Sequence, residues 1–273
     1  MLDKISDLYL RYRAAVSIAA LLLYLNTVQG LLGRISLFHL LCGLSFAAGQ
    51  QIAYGYDARF RTEEDVINRP GGRKVRHSFW KLGALAALPA GLLIWAGFLP
   101  ILLYAAAALW LYSDRTVFGR RFKSVPGLKT FVNVLNFWLI GILAPALFAH
   151  KFSLGLVLAL VRGSPQPIIF IFCLNVLVDI RDAAGDKKAG LFTLPAVLGV
   201  PATAGLLAVL LAGMGADYVA KGFYPAGAFS LLLAAFSVYS FKPRGRLYYE
   251  WGLAAVNVFM AGHLARLIYF PVR

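Results

Sequence analysis

Three aspartates recur at short, regular spacing in the segment 179–190, which reads Asp179-Ile-Arg-Asp182-Ala-Ala-Gly-Asp186-Lys187-Lys188-Ala-Gly190. On a helix, steps of three and four residues place all three carboxylates on one face. Like charges on one face repel each other, but a divalent cation between them removes that cost. Mg²⁺ binds one or two carboxylates together with phosphate oxygens and water. The segment therefore predicts a site where Mg²⁺ joins aspartates to a diphosphate, with neighbouring Arg and Lys side chains balancing the remaining phosphate charge.

A second acidic segment lies earlier in the chain, between residues 56 and 70. Its acidic residues are Asp57, Glu63, Glu64 and Asp65, and it ends in Asp65-Val-Ile-Asn68-Arg69-Pro70. Each acidic segment directly follows an apolar run. For one such cluster alone, a solvated helix end is as good an interpretation as a binding site.

The rest of the chain consists mainly of apolar runs that are long enough to cross a membrane. Of its 273 residues, 60% are hydrophobic and 14% are charged, and the mean hydropathy is +0.72, whereas soluble domains are about 25% charged. Since a crossing takes about 20 residues, the sequence predicts nine transmembrane helices in one bundle, a single domain over residues 1–273. The spans are expected at 14–33, 35–55, 80–97, 98–113, 130–149, 153–179, 191–213, 222–241 and 248–270. The expected fold is all-α, a multi-pass membrane protein with two Asp-rich cytoplasmic segments.

The basic residues indicate how the bundle is oriented. With the N-terminus in the cytoplasm, 21 of the 27 Lys and Arg residues fall on the cytoplasmic side, as the positive-inside rule requires. Topology thus explains the net charge of +15 without a nucleic-acid partner. Nine of the 12 acidic residues lie at the same ends, which the rule does not explain, because carboxylates contribute little to orientation. Two acidic clusters on one side, four spans apart, favour a shared binding site.

The later acidic segment resembles the second aspartate motif of the UbiA superfamily of intramembrane prenyltransferases. In that family an acidic run ends in Gly-Asp, a basic residue and Gly, and Thr-Leu-Pro follows. Here Gly185-Asp186-Lys187 leads to Thr193-Leu194-Pro195. The stretch from Asp65 to Pro70 is similar to the end of the family's first motif. The two motifs also follow spans two and six, as the family's do.

The first motif departs from the family pattern at one position. Counting back from Asp65 in steps of four places Arg61 where a carboxylate is expected, with Asp57 beyond it. Alternatively, an inserted turn gives Asp57 the middle role, with Ala53 where Asn would stand. Glu64 is a candidate replacement for the missing ligand. Both alternatives leave the number of metal ions and the substrate open.

The resemblance implies an enzyme that transfers a prenyl group from a prenyl diphosphate to an aromatic, quinone-like or related lipid acceptor, with Mg²⁺ as cofactor. It implies an integral protein of a bacterial or archaeal cell membrane, with the N-terminus and the active-site loops in the cytoplasm. The implied metal ligands are Asp57, Asp65, Asp182 and Asp186, and the implied catalytic residues are Asp57, Asp65, Asp179 and Asp182. The implied substrate-binding residues are Asn68, Arg69, Arg73, Lys129, Asn133 and Lys187. The isoprenoid tail is expected in an apolar tunnel that excludes water, because water would consume an allylic carbocation.

Several other residues in the spans have two interpretations each. Asn133 and Asn136, three apart in span five, either line a pocket or join helices through hydrogen bonds. Arg162, near two prolines in span six, either marks a functional cavity or reaches to the outer interface. His263 and Arg266 are interpreted as packing or interface groups. The aromatic residues near the depth of the site either shield a carbocation with their π faces or gather there as interface residues, and they are Tyr54, Tyr56, Phe60 and Tyr112.

Three alternatives to prenyl transfer to an aromatic acceptor remain at this point. One is a terpene cyclase of the same fold or an enzyme with a non-aromatic acceptor, which the Arg61 departure leaves open. Another is a transporter or lipid-binding protein, although transporters place ionisable residues near the midplane, and these acids lie at helix ends. A CDP-alcohol phosphotransferase also uses aspartates and Mg²⁺, but its acids lie in one continuous segment.

Overall fold

The computed structural model describes residues 14–57, 67, 79–113, 125–163, 165–242, 244 and 246–269. Within these ranges the regular structure is entirely helical. The predicted all-α class is confirmed for this part of the chain.

Twelve α-helices have their bounds within the described residues. In chain order they are α1 (Ala14–Leu32), α2 (Leu37–Asp57), α3 (Phe79–Trp95), α4 (Leu99–Ser113), α5 (Leu128–Trp138), α6 (Ala144–Ala149), α7 (Leu154–Gly163), α8 (Pro165–Lys188), α9 (Leu194–Leu198), α10 (Val200–Ala220), α11 (Tyr224–Tyr239) and α12 (Arg246–Tyr269). A π-helical turn (Leu139–Leu143) joins α5 to α6.

Four stretches of helix are long and apolar enough to cross a membrane, judged by length and composition over the described residues. They are Ala14–Leu32, Leu128–Ala149, Val200–Ala220 and Tyr248–Tyr269. A fifth is obtained if α7 and α8 are counted as one bent span. Shorter apolar helices lie at Ala86–Trp95, Leu99–Ser113 and Tyr224–Tyr239. The described helices are therefore as apolar as the prediction of a membrane protein requires, whereas nine crossings remain a prediction.

The predicted sixth span, 153–179, differs from the structure in two ways. It is broken between α7 and α8, with a bend of 73° between the two helices. The break precedes Pro165 and Pro167, which lack a backbone N–H and are tolerated only in the first turn of a helix. Helix α8 then continues past residue 179 to Lys188, so the aspartates lie in its last turns and not in a loop.

The π turn after α5 has a local cause. Pro145 cannot donate the hydrogen bond that an α-helix would direct to the carbonyl of Gly141. The chain instead widens, and Ala144 N–H donates to the carbonyl oxygen of Leu139, five residues back. A π turn holds one residue more than an α turn, so it changes which side chains before and after it share a face.

Buried side chains form three apolar clusters. The largest joins α8, α10, α11 and α12 around Cys173, Leu207 and Val256. The second joins α1, α2, α3, α4 and α6 around Tyr24 and Phe46. The third surrounds Trp138 where the π turn meets α7 and α8. The candidate site lies between the first two clusters.

Candidate functional site

A cavity of about 410 Å³ lies between α1, α2, α3, α4, α5, α8 and α12. Its lining is mostly aliphatic and aromatic. The polar and charged residues along it are Ser45, Gln50, Tyr54, Asp57, Tyr104, Tyr112, Lys129, Asn133, Asn136, Asn175, Asp179, Asp182 and Asp186. Such a cavity suits a ligand that has one strongly charged part and one long apolar part.

Helix α8 presents its three aspartates to this cavity as the sequence pattern predicts. Their exposed fractions are 3% for Asp179, 8% for Asp182 and 1% for Asp186. Buried carboxylates are costly unless they are paired or bind a cation. The surroundings of each one therefore decide what the site can bind.

Lys129, in the first turn of α5, pairs with two of these carboxylates. Its Nζ lies 2.9 Å from Asp179 Oδ1 and 2.7 Å from Asp186 Oδ2. Thr130 Oγ1 donates a hydrogen bond of 3.1 Å to the other oxygen of Asp179. The lysine thus holds a single positive charge between two acids that lie two helical turns apart.

Arg181 pairs with the third carboxylate. Its Nε and Nη2 each donate a hydrogen bond of 2.8 Å to one oxygen of Asp182. Its Nη1 donates a hydrogen bond of 2.9 Å to Glu250 Oε1 in the first turns of α12. Arg181 is therefore engaged by two acids of the protein, and it links α8 to α12.

Asp57, the last residue of α2, is the part of the first acidic segment that the structure describes at the cavity. Its Oδ1 accepts a hydrogen bond of 3.0 Å from Ser113 Oγ at the end of α4. This contact fixes the ends of α2 and α4 beside each other. Asp65, Asn68, Arg69 and Arg73, together with Arg61 and Glu64, lie outside the described residues.

The donor set suits Mg²⁺ only if the metal is shared with a ligand. Carboxylate oxygens are the ligands that this cation prefers, and Asp57, Asp182 and Asp186 offer them at the cavity. In the described part of the chain, no group of three or more His, Cys, Asp or Glu side chains is arranged to hold a metal ion. Phosphate oxygens and water would have to complete the coordination shell, which is the usual form of a magnesium site.

The remaining predicted residues separate into two groups. Asn133 and Asn136 line the cavity, as do Tyr54 and Tyr112. Lys187 is exposed and is not part of the lining. The others outside the lining are Tyr56, Arg162, His263 and Arg266, while Phe60 lies outside the described residues.

Sequence reasoning missed Thr130 and Arg181, which pair with the aspartates, and three further residues at the site. Glu250 carried one signal, since it is an acid at a predicted cytoplasmic helix end. Asn175 lies four residues before Asp179 on the same helix face, so extending the aspartate spacing backward would have found it. Ser113 had no signal, because its partner Asp57 is 56 residues away.

Three solved structures have folds similar to that of this chain. A UbiA homologue from Archaeoglobus fulgidus, solved with DMAPP and Mg²⁺ bound, matches with a TM-score of 0.63 at 18% identity, over 96% of this chain and 99% of that chain. The same coverage and TM-score, at 17% identity, hold for a UbiA homologue from that organism bound to GPP and Mg²⁺. The apo structure of a UbiA homologue from Aeropyrum pernix K1 matches with a TM-score of 0.56 at 16% identity, over 93% and 97% of the two chains.

No protein-family model and no curated protein matches the sequence. The three solved structures nevertheless match nearly the whole length of the chain. They confirm at the level of the fold the resemblance that the aspartate motif indicated: this chain has the fold of the UbiA superfamily.

Proposed function

We propose that this chain is a prenyltransferase of the membrane that moves a prenyl group from a prenyl diphosphate to an acceptor, with Mg²⁺ as cofactor. One observation carries the proposal: three buried carboxylates on α8 line a largely apolar cavity. Two structures with this fold were solved with DMAPP or GPP and Mg²⁺ bound. A ligand with an anionic head and an isoprenoid tail matches both the charged and the apolar parts of this cavity.

In this proposal the acidic residues hold the metal ion and the basic residues hold the diphosphate. Asp182 and Asp186, with Asp57 and Asp65 from the first segment, are the metal ligands. Lys129 binds the diphosphate when the substrate enters. The remaining predicted diphosphate-binding residues are Asn68, Arg69 and Arg73. Of the other two predicted binding residues, Asn133 lines the cavity one turn below Lys129, and Lys187 is exposed outside the lining.

The reaction breaks the bond between C1 of the prenyl chain and the diphosphate oxygen, and the electron pair leaves with the diphosphate. Mg²⁺, when bound, supplies positive charge that stabilises this leaving group. The apolar walls exclude water, which would otherwise capture the allylic cation. An electron pair of the acceptor then forms the new bond to C1, and the acceptor's proton passes to a carboxylate such as Asp179.

The acceptor we propose is an aromatic, quinone-related or lipid precursor. We also propose that the chain crosses a bacterial or archaeal cell membrane nine times. The N-terminus and the charged end of the cavity would then face the cytoplasm. The clustering of basic residues in the predicted cytoplasmic segments supports this orientation.

Binding of geranyl diphosphate to the purified protein in detergent tests the proposal. Isothermal titration should show binding in Mg²⁺ and none in EDTA. Asp182→Asn keeps the shape of the side chain and removes its charge, so binding in Mg²⁺ should weaken by roughly tenfold or more, the equivalent of about 1.4 kcal/mol.

Asp217→Asn is the matched control. Asp217 is also an aspartate on a helix, but its side chain is 41% exposed, and its partners are Lys221 and Gln166, away from the cavity. This variant should bind like the wild type. If DMAPP, geranyl diphosphate and geranylgeranyl diphosphate all fail to bind the wild type in Mg²⁺, the proposed function is wrong.

A further inference from the structure

Three asparagines line the cavity just beneath the Lys129–Asp179 ion pair. Helices α5 and α8 run in opposite directions. Lys129 at the start of α5 pairs with Asp186 near the end of α8, and Ile168 near the start of α8 packs against the cluster around Trp138 at the end of α5. Asn133 and Asn175 each lie four residues from that ion pair, about 6 Å along their helix axes. Asn136 lies about one turn deeper. The three amides therefore occupy adjacent levels on two facing helices.

These amides do not join the helices to each other. In the described structure, the side chains of Asn133 and Asn136 make no hydrogen bond with the protein. Asn175 Nδ2 donates a hydrogen bond of 2.8 Å to the carbonyl oxygen of Ile171 in its own helix. Two other asparagines in this chain do donate hydrogen bonds from one helix to another. Asn26 donates to the carbonyl oxygen of Met260 at 3.0 Å, and Asn257 donates to that of Ala15 at 2.9 Å.

An amide within a membrane bundle is costly unless it has a hydrogen-bond partner. The described structure therefore does not support the interpretation of Asn133 and Asn136 as helix-joining groups, and both residues line the cavity. The depth of these amides in the cavity also bears on their function. With the diphosphate beside Lys129 and the aspartates, C1 of the prenyl chain and the attacking atom of the acceptor would meet about one turn below.

The charge of the lining limits what can bind at this level. Among the described residues around the cavity, Lys129 is the one basic residue, and four aspartates line the same space. Lys129 already has two carboxylate partners. Among the described residues that line the cavity, no cation lies at the level of the three amides to pair with a second anion, whereas amides donate to and accept from neutral hydroxyl and carbonyl groups.

We propose that Asn133, Asn136 and Asn175 form the acceptor subsite, and that the acceptor places an uncharged hydroxyl or carbonyl group there. This inference rests on the proposed function. During transfer the amides hold the acceptor against C1, while the bond changes are those described above. The hydroxyl group belongs either to a phenol or to an aliphatic alcohol, which the experiment distinguishes.

The test uses full-length protein loaded with Mg²⁺ and geranyl thiolodiphosphate, an unreactive substrate analogue. Binding of 1-naphthol is measured by its fluorescence, and binding of a glycerol monoalkyl ether by calorimetry. The carboxylated analogue 1-hydroxy-2-naphthoate serves as the anionic probe. The wild type should bind at least one neutral probe more tightly than the anionic probe.

Asn136→Leu and Asn175→Leu should each weaken binding of that neutral probe by about fivefold, as expected for one lost hydrogen bond. Asn136→Gln, which keeps an amide, should restore most of the affinity. Binding of geranyl thiolodiphosphate should stay unchanged in all three variants. The subsite is refuted if both Leu variants bind the neutral probe like the wild type, if neither neutral probe binds, or if the anionic probe binds best.

This result is distinct from failure of the proposed function. If the loaded complex does not form in the wild type, prenyl transfer itself is wrong. If the loaded complex forms and the Leu variants leave acceptor binding unchanged, only the amide subsite is wrong.

Discussion

Lys129 holds two of the buried aspartates in place before substrate arrives, because it forms an ion pair with each of them. Its side chain is 15% exposed and contacts two carboxylates that are 5% and 2% exposed. Removing one member of such a buried group leaves charges without a partner and costs roughly 3–5 kcal/mol. The lysine therefore stabilises the aspartates in the metal-free protein.

We expect Lys129→Met to lower the melting temperature in EDTA, because Asp179 and Asp186 lose their cation. Added Mg²⁺ should raise the melting temperature of this variant more than that of the wild type, because the metal ion then supplies the missing charge. Differential scanning fluorimetry in EDTA and in Mg²⁺ measures both effects.

Lys221→Met is the control for that substitution. The Lys221–Asp217 pair is solvent-exposed, with side chains 51% and 41% exposed, and such pairs contribute about 0–1 kcal/mol. Its melting temperature should stay close to that of the wild type in both buffers. Equal responses of the two variants to Mg²⁺ would contradict the role assigned to Lys129.

At the scale of elements, helices α10 and α11 pack through small residues. A Cβ atom added at Gly227 would lie 3.0 Å from the carbonyl oxygen of Gly215 and 3.2 Å from the backbone nitrogen of Val219. Backbone atoms cannot move aside as the end of a flexible side chain can. Close approach through glycine is a common way for membrane helices to associate, since van der Waals packing replaces the hydrophobic effect there.

Gly227→Ala should therefore separate the two helices and lower stability by about 1–3 kcal/mol. Gly213→Ala is the matched control, because no atom lies within 4 Å of an added Cβ in the same hairpin. It should be neutral or stabilising by up to about 1 kcal/mol, since alanine is the better helix former. Thermal unfolding in one detergent compares the two, and a Gly227→Ala protein as stable as Gly213→Ala would contradict this packing.

For the whole molecule, the distribution of charge predicts which end of the bundle faces the cytoplasm. Lys188 is exposed at the end of α8, beside the aspartates, whereas Lys221 is exposed at the turn between α10 and α11. The short helix α9 and the apolar helix α10 lie between Lys188 and Lys221 in the chain. If α10 crosses the membrane once, the two lysines lie on opposite sides of it.

Labelling with a membrane-impermeant maleimide tests this orientation in intact cells. Lys221→Cys should be labelled, and Lys188→Cys should be labelled only after the cells are opened. The native Cys42 and Cys173 are buried, so their background should be low. The reverse pattern would show that the charged end of the cavity faces outward.

The positions of the helices and of the α8 aspartates could be predicted because they depend on neighbouring residues. Apolar length predicts membrane helices, and steps of three and four residues put Asp179, Asp182 and Asp186 on one face before any partner is known. Where prediction of the helices failed, the cause was also local. Pro165 starts a new helix within the predicted sixth span, and the aspartates continue that helix to Lys188.

The helical class, the apolar character and the shared face of the α8 carboxylates can be predicted from the amino acids alone, since each follows from short-range spacing. The tertiary structure settled which cations meet those carboxylates. Lys129 pairs with Asp186 across 57 residues, and Arg181 meets Glu250 across 69. It also placed Asn133 and Asn136 along the cavity. Such contacts depend on how distant helices pack, which the spacing of residues within one helix does not specify.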